Sequence, residues 1–268
     1  MKTFILACVL GLSSLITTKE VQKADSLLAY MHKRLTSIEE HSYRLDLKER
    51  KLDQSFQKGQ MLIRVKNSPL RIQAEVLGEN KGPMVEYNAA EDLYEATIIP
   101  KKWLPAVKIK GDIHGSILRK GHYAINETSL AYFDRIIKGT EDFFRKKGNY
   151  EESVAYMGTH FLQNRNCHKI ALTDHQYHIK HYRVKAGESL IDIAQRLLIH
   201  PFKIRELNPK IDSYYELEAG QNIRIPSSYG KTCIIYLDDK EFLPRRLEVY
   251  DENGMFEQYS FHDIHVKR

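Results

Sequence analysis

The sequence predicts an α+β protein, an antiparallel meander accompanied by helices and interrupted by one small β-α-α-β module. Three observations predict it. Short apolar or alternating runs of strand length recur between turn residues over residues 43–99 and again over 154–266. Two other segments carry apolar residues at helical spacing, and residues 182–226 hold their own punctuation of strand, helix, helix and strand.

The first helix is read over residues 24–38, where Leu27, Leu28, Met31, Leu35 and Ile38 form one stripe with polar residues between them. Strands follow over 43–50, 59–66, 70–77, 84–88 and 93–99. Helical spacing returns over 126–147 through Leu130, Phe133, Ile136, Ile137 and Phe143-Phe144, before strands at 154–161 and 167–172. The chain closes with strands at 232–237, 246–250 and 256–266, the last two joined by the hairpin turn Asp251-Glu252-Asn253-Gly254. The segments on either side of the small module total roughly 200 residues, enough for one substantial core.

Within the module, Tyr182 and Val184 open a short strand that ends at Ala186-Gly187, where glycine relieves the steric conflict of a positive φ. Ser189 is placed to cap a helix whose apolar residues Leu190, Ile193, Ala194, Leu197 and Leu198 share a face. A shorter helix with Phe202, Ile204 and Leu207 stops at Asn208-Pro209, since proline lacks the amide that would continue it. Gly220 then turns the chain into the strand Asn222-Ile223-Arg224-Ile225-Pro226.

This pattern resembles the LysM domain over its whole length. The shared elements are Tyr-x-Val-x-x-Gly-Glu-Ser-Leu at 182–190, Ile193-Ala194, Leu207-Asn208-Pro209, and Gly220-Gln221 before Ile223-Arg224-Ile225-Pro226; Glu188 stands where aspartate is commoner. The resemblance implies binding of N-acetylglucosamine-containing glycans, peptidoglycan or chitin, in a shallow groove. One wall would be Ala186, Gly187, Glu188, Ser189 and Leu190, and the other Asn208, Pro209, Lys210, Ile211 and Asp212. Backbone groups would read the acetamido group and small apolar side chains would cover its methyl. Leu190, with Gly187, Ile193, Leu207 and Ile223, also reads as a residue that simply folds the module. Ile211 and Asp212 are expected to be replaceable without harm to the fold.

Residues 1–20 have the order of a secretory signal peptide: Lys2, an apolar run over 4–16, then polar Thr17-Thr18-Lys19-Glu20. The run is short of the roughly 20 apolar residues a spanning helix requires, and Cys8 sits too early in it for a lipoprotein cleavage site. Export into the periplasm or cell envelope is expected. There Cys167 and Cys233 could form a disulfide, but pairing of their strands about a hairpin whose ends meet near Tyr177 and Gly230 would set Cys167 opposite a residue near Lys240. The two cysteines would then be roughly 20 Å apart, beyond the reach of a bridge.

The final segment resembles periplasmic lipoprotein-carrier proteins of the LolA-like type, through Leu237-Asp238, Leu243-Pro244, Glu248-Val249-Tyr250, Asn253-Gly254, Tyr259, Phe261 and Ile264. The resemblance implies an incomplete antiparallel barrel with covering helices over 25–177 and 230–268, into which the LysM module is inserted. The module is expected to project from one end of that half-barrel, so that removing 178–230 would leave a foldable remainder. A half-barrel can enclose an apolar ligand, so a lipid or lipoprotein carrier is the alternative to a glycan-binding protein.

Little else points to chemistry. His175, His178 and His181 alternate faces on an extended chain, as do His262 and His265, so no metal site is expected. Serine elbows, phosphate loops, His-Glu-x-x-His pairs and paired cysteine clusters are missing from the sequence, and no enzyme activity or cofactor is expected. The net charge of +6 is spread over small clusters at Lys101-Lys102, Arg119-Lys120, Arg145-Lys146-Lys147 and Arg245-Arg246, read as solvated surface or as attraction for anionic envelope polymers. Nucleic acid is not an expected partner of an exported chain.

Overall fold

The computed structural model describes residues 18–78, 82–100, 107–119 and 121–267. The expected signal-peptide run with Cys8, and also Lys101, Lys102 and Lys120, lie outside the described residues. No described helix is long and apolar enough to cross a membrane.

Helix α1 (Thr18–Thr36) precedes strands β1 (Glu40–Arg50), β2 (Phe56–Asn67), β3 (Leu70–Leu77), β4 (Met84–Asn88), β5 (Glu95–Ile99) and β6 (Ile109–Asp112). Helices α2 (Leu130–Lys147) and α3 (Tyr150–Ser153) lead to β7 (Val154–Leu162) and β8 (Arg165–Thr173). The module contributes β9 (Ile179–Arg183), α4 (Leu190–Leu197), α5 (Pro201–Leu207) and β10 (Asn222–Pro226), before β11 (Thr232–Asp238), β12 (Pro244–Asp251) and β13 (Gly254–Lys267). Eleven strands form one open antiparallel sheet in the order β6-β5-β4-β3-β2-β1-β13-β12-β11-β8-β7. The sheet is therefore a half-barrel with two free ends rather than a closed barrel, and the chain is α+β as its pattern predicts.

One face of the sheet is covered by helices. The predicted stripe of α1 is buried, with Leu28 and Met31 fully so, and α2 buries Leu130, Phe133, Ile136, Ile137 and Phe144. Ser129 caps α2 by accepting the Tyr132 amide at 3.1 Å, and Gly148 ends it at φ 72°. Phe133 packs edge-on against Phe261, which packs edge-on against Tyr43. The inner apolar pocket between α2 and β11–β13 has a volume of only about 20 Å³. Strand β6 has no counterpart in the sequence reading, because Ile-Lys-Gly-Asp is too short to show a period.

The chain leaves the sheet after Thr173 and re-enters at Thr232, its partner in the β8–β11 pair, and the Asp174 amide donates to the Lys231 carbonyl at 2.9 Å. Strands from both sides of the module thus share one sheet. The module has its own core, with Leu190, Ile193, Ile204 and Ile225 fully buried.

It does not project freely. Phe202 of α5 joins the half-barrel core, not the module core. Gly139, inside α2, leaves a notch filled by Leu198: a Cβ there would lie 2.3 Å from Leu198 Cδ2. Tyr214 is held between two guanidinium groups, Arg119 of the half-barrel at 4.3 Å and Arg205 of the module at 4.8 Å. Lys203 of α5 is 2% exposed and meets Glu206 and Asp251 at 2.7 Å and Glu252 at 2.9 Å. Arg50 completes this network through Glu206 at 2.8 Å and through Asp251. The unit expected to project from one end of the half-barrel is thus docked against it through buried charges.

The cysteines are unbridged as expected, with a slightly different register, and two further expectations change. Cys167 lies opposite Asp238 and Cys233 opposite Leu172, so the cysteines sit five residues apart in register and both are free. That separation is roughly 16 Å, and burial pushes the thiols up to about 11 and about 12. Arg119 and Arg245 are buried, not solvated; Arg245 binds Asp238 at 3.2 Å and Glu241 at 2.9 Å. A bulge between Ser42 and Arg44 sets His265 opposite Ser42 and His262 opposite Arg44, which brings the two histidines onto one face.

Candidate glycan-binding site

The strand-to-helix turn is built by internal bonds. Gly187 adopts φ 77°, and a side chain there would point into open space. Glu188 accepts the Tyr182 hydroxyl at 2.7 Å, the Lys185 amide at 2.9 Å and Arg196 Nη2 at 2.6 Å. The bonds from Tyr182, Lys185 and Arg196 hold its carboxyl below the usual range, against a small effect of burial. Ser189 and Asp192 form a capping box, the serine hydroxyl accepting the Asp192 amide at 3.1 Å and the carboxylate accepting the Ser189 amide at 2.9 Å. The polar side chains of this wall are committed to its own shape.

The opposite wall behaves alike. The Asn208 amide group donates to the Ile204 and Arg224 carbonyls, each at 2.7 Å, and accepts the Arg224 amide at 2.9 Å, tying the end of α5 to β10. Arg205 Nε donates to the Ile211 carbonyl at 3.3 Å. Tyr214, absent from the sequence reading, joins the walls: its carbonyl accepts the Leu190 amide at 3.0 Å.

Of the ten predicted residues, Ala186, Gly187, Pro209, Lys210 and Asp212 are exposed, and Glu188, Ser189 and Asn208 are half-buried. Leu190 is fully buried and Ile211 is 7% exposed, both in the module core. The expectation that Ile211 is replaceable without harm is therefore corrected, because its side chain faces inward. The two loops offer backbone edges, short side chains and exposed Lys210 and Asp212, the elements that read a neutral sugar.

A second polar cluster escaped the sequence reading. His122, His200 and Glu257 are fully buried, and their ligand-type atoms lie within 4.8 Å of one another. Their heavy-atom contacts argue for an ion pair instead of a metal site. His122 Nε2 lies 2.8 Å from the Arg50 carbonyl and Nδ1 lies 2.6 Å from Glu257, so both nitrogens face acceptors, an arrangement that favours the imidazolium. Burial works to lower the His122 pKa, but Glu49 and Glu257 raise it. His200 Nδ1 accepts the Phe202 amide at 3.1 Å, which leaves the proton of the neutral ring on Nε2, 3.4 Å from Glu257. Glu257 also accepts the Tyr123 hydroxyl at 2.7 Å. No local period marks these residues, since they come from a loop, the module and the last strand. The exposed His175 and His178 bond separate carbonyls, of Glu152 and Gln176.

The family model described as LysM domain matches residues 182–226, the boundaries expected from the sequence. No curated protein sequence matches. Among solved structures, lipoprotein LppX from Mycobacterium tuberculosis is 10% identical, covering 90% of this chain and 95% of that one with a TM-score of 0.37. A LolA superfamily protein from Nitrosomonas europaea is 9% identical, covering 91% and 94% with a TM-score of 0.33. MucB from the Pseudomonas aeruginosa MucA/MucB complex is 11% identical with a TM-score of 0.40, and the match covers 92% of this chain and 58% of that one. The inserted β-α-α-β unit at residues 182–226 matches the LysM domain family and is carried by an open antiparallel sheet.

Proposed function

We propose that this chain is a cell-envelope protein that binds peptidoglycan, or another N-acetylglucosamine-containing glycan, non-catalytically through its LysM module. The observation that carries this reading is the pair of loops 186–190 and 208–212. Their polar side chains Glu188, Ser189 and Asn208 are spent on internal bonds, while Ala186, Gly187, Pro209, Lys210 and Asp212 remain exposed. Such a surface recognises a sugar through backbone groups and small contacts, which accords with the family match.

The lipid-carrier alternative has less support. A pocket that encloses a small molecule spans several hundred Å³, and the inner apolar pocket of this half-barrel holds about 20 Å³. Sedimentation with purified peptidoglycan tests the proposal. The full chain should pellet with the polymer and be released by N-acetylglucosamine oligomers, with modest sensitivity to salt. A chain that stays in the supernatant would refute it.

A further inference from the structure

The helix-free face of the sheet carries a groove of about 890 Å³ over β1–β6 and the end of β13. Its floor is one cross-strand row, in which Ser42, Arg64, Gln73, Glu86 and Thr97 stand opposite one another in succession. The neighbouring row, Tyr43, Ile63 and Ala74, points the other way into the core, as strand alternation requires.

The floor is polarised. Arg64 Nη1 donates to Gln73 Oε1 at 3.0 Å, and Gln73 Nε2 donates to Glu86 Oε1 at 3.0 Å. A fixed amide thus separates a guanidinium on β2 from a carboxylate on β4, two strand spacings or roughly 9.6 Å away. Arg64 is exposed and lines the groove, and among the described residues it meets no carboxylate within ion-pair distance. A ligand with a carboxylate and an ammonium at comparable separation would satisfy both ends.

Strand β6, whose Lys110 lines the groove, also touches the module. Glu95 and Lys110 line it, and Glu95 stands opposite Asp112 while Lys110 stands opposite Thr97, so Asp112 shares the groove's face. Tyr215 of the module donates its hydroxyl to Asp112 Oδ1 at 2.8 Å. Its neighbour Tyr214 is the residue whose carbonyl takes the Leu190 amide between the two glycan walls.

Resting on the glycan-binding reading, we propose that this groove is a second site, which takes the zwitterionic peptide stems attached to the glycan strand held by the module. Peptide stems carry free carboxylates and free amines, the two charges that the Arg64–Gln73–Glu86 row presents in complementary order. Glycan and peptide would then be read at two sites of one chain, the sugar by neutral contacts and the stem by charge.

The test compares intact peptidoglycan fragments with the same strands stripped of peptide by an amidase, and adds titration with the isolated stem peptide. The full chain should bind intact fragments about tenfold more tightly than stripped ones, and should bind the free peptide. Arg64→Gln and Glu86→Gln, both on the outer face and away from the core, should each erase that preference and the peptide binding while leaving affinity for stripped strands unchanged. Equal affinity for intact and stripped strands, with no binding of the peptide, would overturn the second site and leave the glycan reading standing. Binding of the peptide without any binding of stripped strands would support the groove and sink the glycan reading. Binding of none of the three would overturn both.

Discussion

Lys203 Nζ lies 2.7 Å from Asp251 Oδ2, which ties the second helix of the LysM module to the hairpin turn between β12 and β13. Burial works to lower the Lys203 pKa, and its bonds to Asp251, Glu206 and Glu252 raise it instead. Removing the ammonium would leave Asp251 and Glu206 buried beside Arg50 alone. Lys203→Met is therefore expected to destabilise the whole chain by about 3 kcal/mol. Denaturant unfolding checks this, and wild type should show one cooperative transition for module and half-barrel together. Two separate transitions, with Lys203→Met affecting neither, would contradict the docked arrangement.

His32 clamps α1 onto α2, with Nδ1 2.5 Å from Asp134 and Nε2 2.6 Å from Glu141. Burial works to lower its pKa, but the bonds and charges of Asp134 and Glu141 raise it to about 9. A raised folded-state pKa means stability that is complete below the unfolded value of about 6.5 and is lost as pH rises through about 9. Unfolding free energies measured between pH 6 and 10 should fall across that window in wild type and fall less in His32→Gln. Identical profiles would remove the clamp from the account.

Glu257 joins the half-barrel to the module through His122 at 2.6 Å and His200 at 3.4 Å. Burial works to raise its carboxyl, and the two imidazoles, His200 and His122, overcome that and hold it below the usual range. A depressed pKa contributes stability above the unfolded value and loses it as pH falls through the folded one. Glu257→Gln should therefore lower the thermal midpoint at pH 7 and flatten its decline in acid. Because the ring protons occupy the sites a metal would need, added zinc should leave the wild-type midpoint unchanged.

Asn208 separates scaffold from ligand surface. Its three bonds to Ile204 and Arg224 hold β10 in place, so Asn208→Ala is expected to cost about 2 kcal/mol of stability. A stable mutant with weakened glycan binding would instead make the amide a direct sugar contact.

The module was legible because it is local. Ser189, the spacing of Leu190, Ile193 and Ala194, the stop at Asn208-Pro209 and the turn at Gly220 each act within a few residues, and the structure follows them. The strands from β1 to β5 and β11 to β13 were legible for the same reason, through alternation. The docking was not. No local pattern marks Lys203, Glu206, Arg50 and Asp251 as buried, and only their convergence from three elements buries them. Ile211 was misplaced because a loop residue between polar neighbours carries no period to show that it turns inward. The His262–His265 pair was misplaced because a bulge breaks the alternation that the reading assumed.

The most direct test is a calorimetric titration of the full chain with an N-acetylglucosamine oligomer, repeated with Ala186→Asp. Ala186 is exposed on the loop between β9 and α4, so the substitution spares the module core while setting a carboxylate beside the acetamido group. Saturable binding by wild type, weakened about tenfold or about 1.4 kcal/mol in the mutant at an unchanged thermal midpoint, is the predicted result. Equal affinity in the two proteins would place the sugar elsewhere, and no saturable binding by wild type would contradict glycan recognition by this chain.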